Sequence, residues 1–128
     1  MHLRVLKMIE KEALLELAFM MFNIDNDYTE HEKYYLNVFK SSTMFGMKEY
    51  QIKNKNYHEI IRDLKDSTMM TKMIIFRELA YLMYLGHNPS DKEVKFLTGL
   101  RKDINVSEAE ETKLIKQIFD EKQKIVNL

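Results

Sequence analysis

The residues best suited to chemistry form an acidic loop in the first quarter of the chain. Four carboxylates lie within eight residues of one another: Asp25, Asp27, Glu30 and Glu32. Hard cations take several oxygen ligands, and the order Asp-x-Asp-x-Thr is how a calcium-binding loop begins. The rest of that calcium pattern is missing, because its sixth position has no glycine and its twelfth position is Leu36.

The same acids have a second interpretation as residues of a turn and a helix start. Asp25 and Asp27 are ordinary turn formers. Thr29 and Glu32 match a capping box, in which Thr29 accepts a hydrogen bond from the Glu32 amide and the Glu32 side chain reaches back. Both interpretations stay open: a divalent-cation site that includes Asp25, Asp27 and Glu32, or a loop followed by a capped helix.

An internal repeat supplies a second loop of the same kind. The segment Glu16–Phe22 aligns with Glu78–Tyr84 at an offset of 62 residues. After a one-residue deletion, Thr29–Glu32 aligns with Ser90–Glu93, which is again a capping box. The repeating unit is therefore an apolar helix, a polar loop and a capped helix.

The repeat brings a histidine and a further acid into the candidate site. His87 aligns with Asp25, and Glu93 aligns with Glu32, so two loops that face each other would share one ligand. The predicted metal-binding set is Asp25, Asp27, Glu32, His87 and Glu93. In the alternative interpretation, His87 follows Gly86 at the end of a helix and interacts only with the helix dipole.

Several catalytic classes are excluded by the residues themselves. The run His58–Arg62 resembles the zinc motif His-Glu-x-x-His, but arginine stands where the second histidine must bind. The chain has no cysteine, and none of its three glycines lies near another, so it has no thiol chemistry and no phosphate-binding glycine loop. We therefore expect no enzymatic activity.

Composition limits the choice of partners. The chain of 128 residues has 20 basic and 20 acidic residues, which argues against a nucleic-acid partner. A mildly basic stretch with two tyrosines is interpreted as a solvated face: Lys48, Tyr50, Lys53, Lys55, Tyr57 and Lys65. Charged residues interrupt every long apolar run, so we expect no membrane insertion. The missing cysteines and the lack of a signal-peptide pattern favour a cytoplasmic protein.

Hydrophobic periodicity predicts an all-α protein, a compact bundle of about seven helices around two central apolar helices. One proline and three glycines leave few helix breakers. The predicted elements cover residues 1–22, about 30–41, 47–53, 57–65 and 68–85, followed by helices that begin after Ser90 and Ser107. The 68–85 helix is apolar on more than one face and is expected to be buried centrally.

The repeated pattern resembles the TerB-like superfamily, which takes its name from a tellurite-resistance protein. The stretches that carry the resemblance are Ala18–Glu32, Ala80–Glu93 and Ile104–Glu110. The family usually has an Ala-Asp-Gly-like tripeptide in each loop, where this chain has Asp25-Asn26-Asp27 and His87-Asn88-Pro89. The resemblance implies one domain over residues 1–128, with repeat 1 at about 12–53 and repeat 2 at about 74–119.

The resemblance also implies a setting in bacterial stress response, without a shared enzymatic activity. The leading hypothesis is a non-enzymatic domain that acts through protein partners, with a divalent cation at the acidic loop. Tyrosines near the loop ends are candidates for a binding edge: Tyr28, Tyr34, Tyr81 and Tyr84. The alternatives are a metal-dependent enzyme that uses the paired loops and a purely structural helical partner protein.

Overall fold

The computed structural model describes residues 5–25, 30–41, 46–47, 49–86 and 88–126, and these are all helix, turn or coil. The six helices are α1 (Met8–Phe22), α2 (Glu30–Ser41), α3 (Tyr57–Asp63), α4 (Met69–Gly86), α5 (Asp91–Asp103) and α6 (Glu108–Val126). The predicted all-α class is confirmed. The count of about seven is not, because the described residues between α2 and α3, 46–47 and 49–56, contain no helix.

The helices α1 and α4 form the centre of the molecule. In α1 every residue from Ala13 to Ala18 is buried, and in α4 the buried side chains include Ile75, Phe76 and Leu79. α1 packs against α2, α3, α4 and α5, while α4 packs against α1, α5 and α6. Helices that are apolar on most faces need neighbours on most sides, which explains their central position.

Two hydrogen bonds at opposite ends show that α1 and α4 run side by side in the same direction. Near their first turns, Ser67 Oγ donates to Glu10 Oε2 at 2.7 Å. Beyond their last turns, Ser90 Oγ donates to Asp25 Oδ2 at 2.7 Å. The start of one central helix therefore lies beside the start of the other, and the loops that follow them also meet.

Local capping sets where several helices begin. α1 starts at Met8 rather than at Met1, because the Glu10 carboxylate accepts the Lys7 amide hydrogen at 2.8 Å and closes the first turn there. The predicted box at Ser90 is confirmed: the Glu93 amide donates to Ser90 Oγ at 3.2 Å, and the Ser90 amide donates to Glu93 Oε1 at 2.9 Å. The predicted box at Thr29 lies outside the described residues.

The helices of the described part include none long and apolar enough to cross a membrane.

Candidate functional site

The two predicted loops meet at Ser90. Its hydroxyl donates to Asp25, and its amide donates to Glu93, whose residue is only 5% exposed. Asp25 and Glu93, two residues of the predicted metal set, therefore both accept hydrogen bonds from Ser90. Asp27, His87 and the side chain of Glu32 lie outside the described residues.

Within the described ranges, no group of three His, Cys, Asp or Glu side chains is arranged to hold a metal ion. The two acids that are described have other roles. Glu93 closes the first turn of α5, and Asp25 accepts a hydrogen bond from Ser90, in the loop that precedes α5. The cation site therefore stays a prediction, and so does any enzyme built on it.

A buried carboxylate in the middle of α1 organises a segment that the sequence analysis interpreted as part of a solvated basic face. Glu16 is 1% exposed, and its Oε2 accepts from Tyr50 Oη at 2.6 Å and from the Lys53 amide at 2.8 Å. Its Oε1 accepts from the Lys55 amide at 3.0 Å. Between those two amides, Asn54 takes a left-handed backbone with φ 54°. We call residues 50–56, held in this way, the strap.

Two amides that converge on one anion across a left-handed residue form the kind of backbone nest that proteins use to bind anions. In this chain the anion is internal. At the first residue of the strap, Lys40 Nζ donates to the Tyr50 carbonyl at 2.8 Å, which fixes the strap to the end of α2. The visible signal in the sequence was Glu16 as the single acid within the otherwise apolar run Ala13–Phe22.

Burial and the Glu16 carboxylate also change the chemistry of Tyr50. Burial raises the pKa of the Tyr50 hydroxyl far above its usual value near 10, with smaller contributions from the hydrogen bond to Glu16 and the charges of Glu16 and Glu12. The pKa of Tyr57 is raised in the same way, by burial and by its hydrogen bond to Asp103. Both hydroxyls therefore remain protonated donors at neutral pH.

A second buried charge joins α5 to α6. Arg101 is 8% exposed, and its guanidinium donates to the Val106 carbonyl at 2.8 Å. Its Nε lies 2.8 Å from Glu111 Oε1 as an ion pair, without the angle of a hydrogen bond. These contacts hold the short connection between the two helices, and we assign them a structural role.

An open groove of about 400 Å³ lies between the first halves of α4 and α6. Its lining is mainly apolar with charged residues among it: Met70, Met73, Ile74, Arg77, Glu78, Glu110, Lys113, Leu114 and Gln117. No motif in the sequence pointed to this groove. It depends on how two distant helices are spaced, which local periodicity does not fix.

Five of the large apolar side chains that are exposed in the described residues belong to the first turns of α1 and α4 or to the residues just before α1. We call them the apolar end: Val5, Met8, Ile9, Met69 and Met70, with exposed fractions from 45% to 69%. Met70 belongs to both the apolar end and the groove. Apolar surface of this kind commonly marks a place where another molecule binds.

The predicted tyrosine edge is not one surface. Tyr34 is exposed, but Tyr84 is buried, and its ring packs edge-on against Phe119 with 5.7 Å between ring centroids. Tyr81 is half-buried, and its hydroxyl donates to Glu121 Oε1 at 3.0 Å. Tyr28 lies outside the described residues.

Comparison of the chain with models of known protein families, with curated proteins and with solved structures gives no match in any of the three.

Proposed function

We propose that this chain is a non-enzymatic, TerB-like helical module that acts by binding a protein partner at the apolar end and the groove between α4 and α6. The observation that carries the proposal is the concentration of exposed large apolar side chains at the start of both central helices, where Met70 also lines the groove. Of the side chains concerned, Met8, Met69, Met70 and Met73 are methionines.

Methionine-rich surfaces suit protein binding because the unbranched side chain adapts to irregular apolar partners. The charges of the groove fit the same use. Arg77 and Lys113 are basic, and Glu78 and Glu110 are acidic, so an apolar centre has charged residues of both signs around it. Protein interfaces commonly combine an apolar centre with a polar rim.

The proposal has two further parts that rest on the sequence. The repeat, at about 12–53 and about 74–119, predicts that α1, α2 and the strap correspond to α4, α5 and α6. In support, α1 packs on α2 and holds the strap through Glu16, and α4 packs on both α5 and α6. The resemblance to TerB-like proteins suggests a role in bacterial stress response. Neither part is needed for the groove to bind a partner.

Site-specific crosslinking tests the proposed function. A photoreactive residue at Gln117, inside the groove, should give a crosslinked partner in cells, whereas the same residue at Lys124, which is exposed further along α6, should not. The captured protein is then purified and its affinity for the full chain is measured by calorimetry.

Matched charge substitutions decide whether the groove is the binding surface. Met70→Glu should weaken binding by about tenfold or more, because it places a carboxylate in the apolar contact. Val38→Glu changes an equally apolar, exposed residue on α2 and should leave the affinity unchanged. Equal effects of the two substitutions, or none from Met70→Glu, would contradict the proposal.

A second candidate function is divalent-cation binding at the paired loops, favoured by the meeting of Asp25 and Glu93 at Ser90. The proposed ligand set is Asp25, Asp27, Glu32, His87 and Glu93. Calorimetric titration of the metal-free chain with calcium, magnesium, manganese and zinc tests it. Micromolar binding that disappears in the Asp25→Ala/Asp27→Ala variant would support the site, and the absence of heat in both proteins would end it.

A further inference from the structure

A cavity of about 390 Å³ opens among α3, the first turn of α4 and the connection from α5 to α6. We call it the basic cavity. Its lining is mostly polar or charged: His58, Ile61, Arg62, Leu64, Lys65, Lys72, Asp103, Ile104 and Asn105. None of these residues lines the groove between α4 and α6, so the two sites are separate.

The basic cavity has an apolar floor and a charged rim. Leu64 and Ile104, at the floor, are 0% and 2% exposed. Arg62, Lys65 and Asn105, at the rim, are exposed. Pockets that bind small molecules have volumes of roughly 300 to 1,000 Å³. The cavity therefore has the size and shape for a compact molecule whose charge lies at the rim.

Contacts within the chain hold the walls of the cavity in place. Tyr57 joins α3 to α5, because its hydroxyl donates to Asp103 and its ring packs edge-on against Phe96 with 6.0 Å between ring centroids. The connection from α5 to α6 is fixed by Arg101, which donates to the Val106 carbonyl at 2.8 Å. A ligand does not have to order these walls, which lowers the free-energy cost of binding.

The charge of the lining is unbalanced. Its three bases are Arg62, Lys65 and Lys72, and its one acid is Asp103. Within the described part of the chain, neither Arg62 nor Lys65 forms an ion pair. Lys72 has only a long hydrogen bond, from its Nζ to the Lys65 carbonyl at 3.5 Å. Because the whole chain has 20 basic and 20 acidic residues, the positive excess is local to this cavity.

The negative groups near the cavity offset only part of this excess. Asp63 pairs with Lys55 at 3.3 Å, and Asp103 accepts from the Tyr57 hydroxyl. Two other acids of this region, Glu59 and Asp66, are exposed and do not line the cavity. The last carbonyls of α3 and α5 are also negative, but a helix end carries roughly half a charge at most.

We propose that the basic cavity binds the phosphate group of a small phosphomonoester. Such a group carries a charge of about −1.5 to −2 at pH 7 and has three strong acceptor oxygens. Arg62 donates two parallel hydrogen bonds to it, while Lys65 and Lys72 act as point charges. The volume that the phosphate leaves free holds the organic part of the molecule, which packs on Ile61.

Titration of the isotope-labelled full chain with glycerol 3-phosphate, followed by nuclear magnetic resonance, tests the inference. The ionic strength is kept constant because salt screens exposed charges. We expect shifts centred on the amides of Arg62, Lys65 and Asn105, with a dissociation constant of about 1 mM or tighter. Acetate, which carries a single charge, is the control ligand and should bind at least about tenfold more weakly.

Matched variants identify the donors. Arg62→Gln and Lys65→Gln should each weaken binding by about fivefold or more, because a charge-assisted hydrogen bond is lost. Lys95→Gln removes the same charge from an exposed position of α5 outside the lining and should leave the affinity unchanged. The dispersion of the spectrum reports whether each variant is folded.

The phosphate group occurs in soluble molecules and in lipid headgroups, and a second experiment distinguishes these sources. The chain is sedimented with vesicles of phosphatidylcholine, with and without phosphatidic acid. Cosedimentation that needs phosphatidic acid and is lost in Arg62→Gln would assign the phosphate to a lipid. Binding of glycerol 3-phosphate without cosedimentation would assign it to a soluble molecule.

Three results would overturn the inference. They are the absence of shifts at about 10 mM glycerol 3-phosphate, shifts spread over exposed lysines across the surface, and equal losses of affinity in Lys95→Gln and Arg62→Gln. The proposed function is tested independently, because the groove shares no lining residue with the cavity. A partner crosslinked at Gln117 alongside a failed phosphate titration would support the groove and reject the cavity.

Discussion

At the scale of single residues, Glu16 shows how an isolated acid in an apolar helix can be accommodated. A buried carboxylate costs free energy unless its oxygens are hydrogen-bonded. Here the tyrosine hydroxyl and two backbone amides, all from the strap, supply donors to both oxygens. These donors also give up hydrogen bonds to water when the chain folds, so their hydrogen bonds to Glu16 compensate the desolvation of both partners.

Removing this carboxylate should be costly. Glu16→Ala leaves two amides and a hydroxyl without a charged acceptor, and we expect a loss of about 2 to 3 kcal/mol in the free energy of unfolding. Urea denaturation measures the loss. Glu12→Ala, one turn earlier on the same helix, is the matched control and should change stability by less than about 0.5 kcal/mol. Similar losses in both variants would show that the hydrogen bonds to Glu16 contribute little.

The raised pKa of Tyr50 predicts a loss of stability in alkali. Above a pH of about 10 the unfolded chain releases the tyrosine proton while the folded chain keeps it, so the free energy of unfolding falls as pH rises. Tyr57 acts in the same direction. Tyr50→Phe should therefore reduce, without abolishing, the decline between about pH 9 and about pH 11 in urea denaturation. An unchanged slope would mean that Tyr50 ionises equally in both states.

Residue types alone predicted part of this chemistry. Ser90 and Glu93 were identified as a capping pair because the pattern that defines the box is local, four residues long and chemically specific. Glu16 was not identified as an anchor, since its donors lie at Tyr50, Lys53 and Lys55, more than thirty residues away. No local pattern contains both ends of such a contact.

At the scale of elements, the start of α5 carries a distinct prediction. Ser90→Ala removes the side-chain acceptor of the Glu93 amide and should cost about 1 to 2 kcal/mol. Asp25→Ala removes only the contact with the preceding loop and, at an exposed site, should cost less than about 0.5 kcal/mol. Hydrogen exchange in the first turn of α5 should accelerate in the first variant alone. Equal acceleration in both would place the stabilising contact at Asp25.

The helices that the sequence predicted well are those whose start is determined by residues close to it in the sequence. α4, α5 and α6 begin within a residue or two of the predicted capping positions. The segment predicted at 47–53 failed because residues 50–53 are fixed by Glu16 and Lys40, not by their own helical preference. The first predicted helix was also wrong at residues 5–7, since Glu10 closes the first turn of α1 at Lys7, and residues 1–4 lie outside the described part.

At the scale of the whole molecule, stability depends on the contact between α1 and α4. Leu79 is completely buried, so Leu79→Ala should lower the free energy of unfolding by about 2 to 5 kcal/mol. Met70→Ala, on the same helix but 69% exposed, should change it by less than about 0.5 kcal/mol. Urea denaturation compares the two, and a large effect from Met70→Ala would show that the apolar end is part of the core rather than a binding surface.

Among the sequence features, the internal repeat predicted the most about how the helices are arranged. It predicted two central helices, and it predicted that the loops after them face each other, which the contact between Asp25 and Ser90 supports. It did not predict the groove, because the groove depends on the spacing of α4 and α6, which a sequence repeat does not fix.

The parallel arrangement of α1 and α4 has a consequence for synthesis on the ribosome. α1 emerges first, with nearly all of its middle turns apolar, and α4, the other central helix against which it packs, begins 61 residues later, at Met69. At the usual rate of translation that delay is roughly 3 to 12 s. During that interval the nascent chain carries an apolar helix without one of the helices that later bury it.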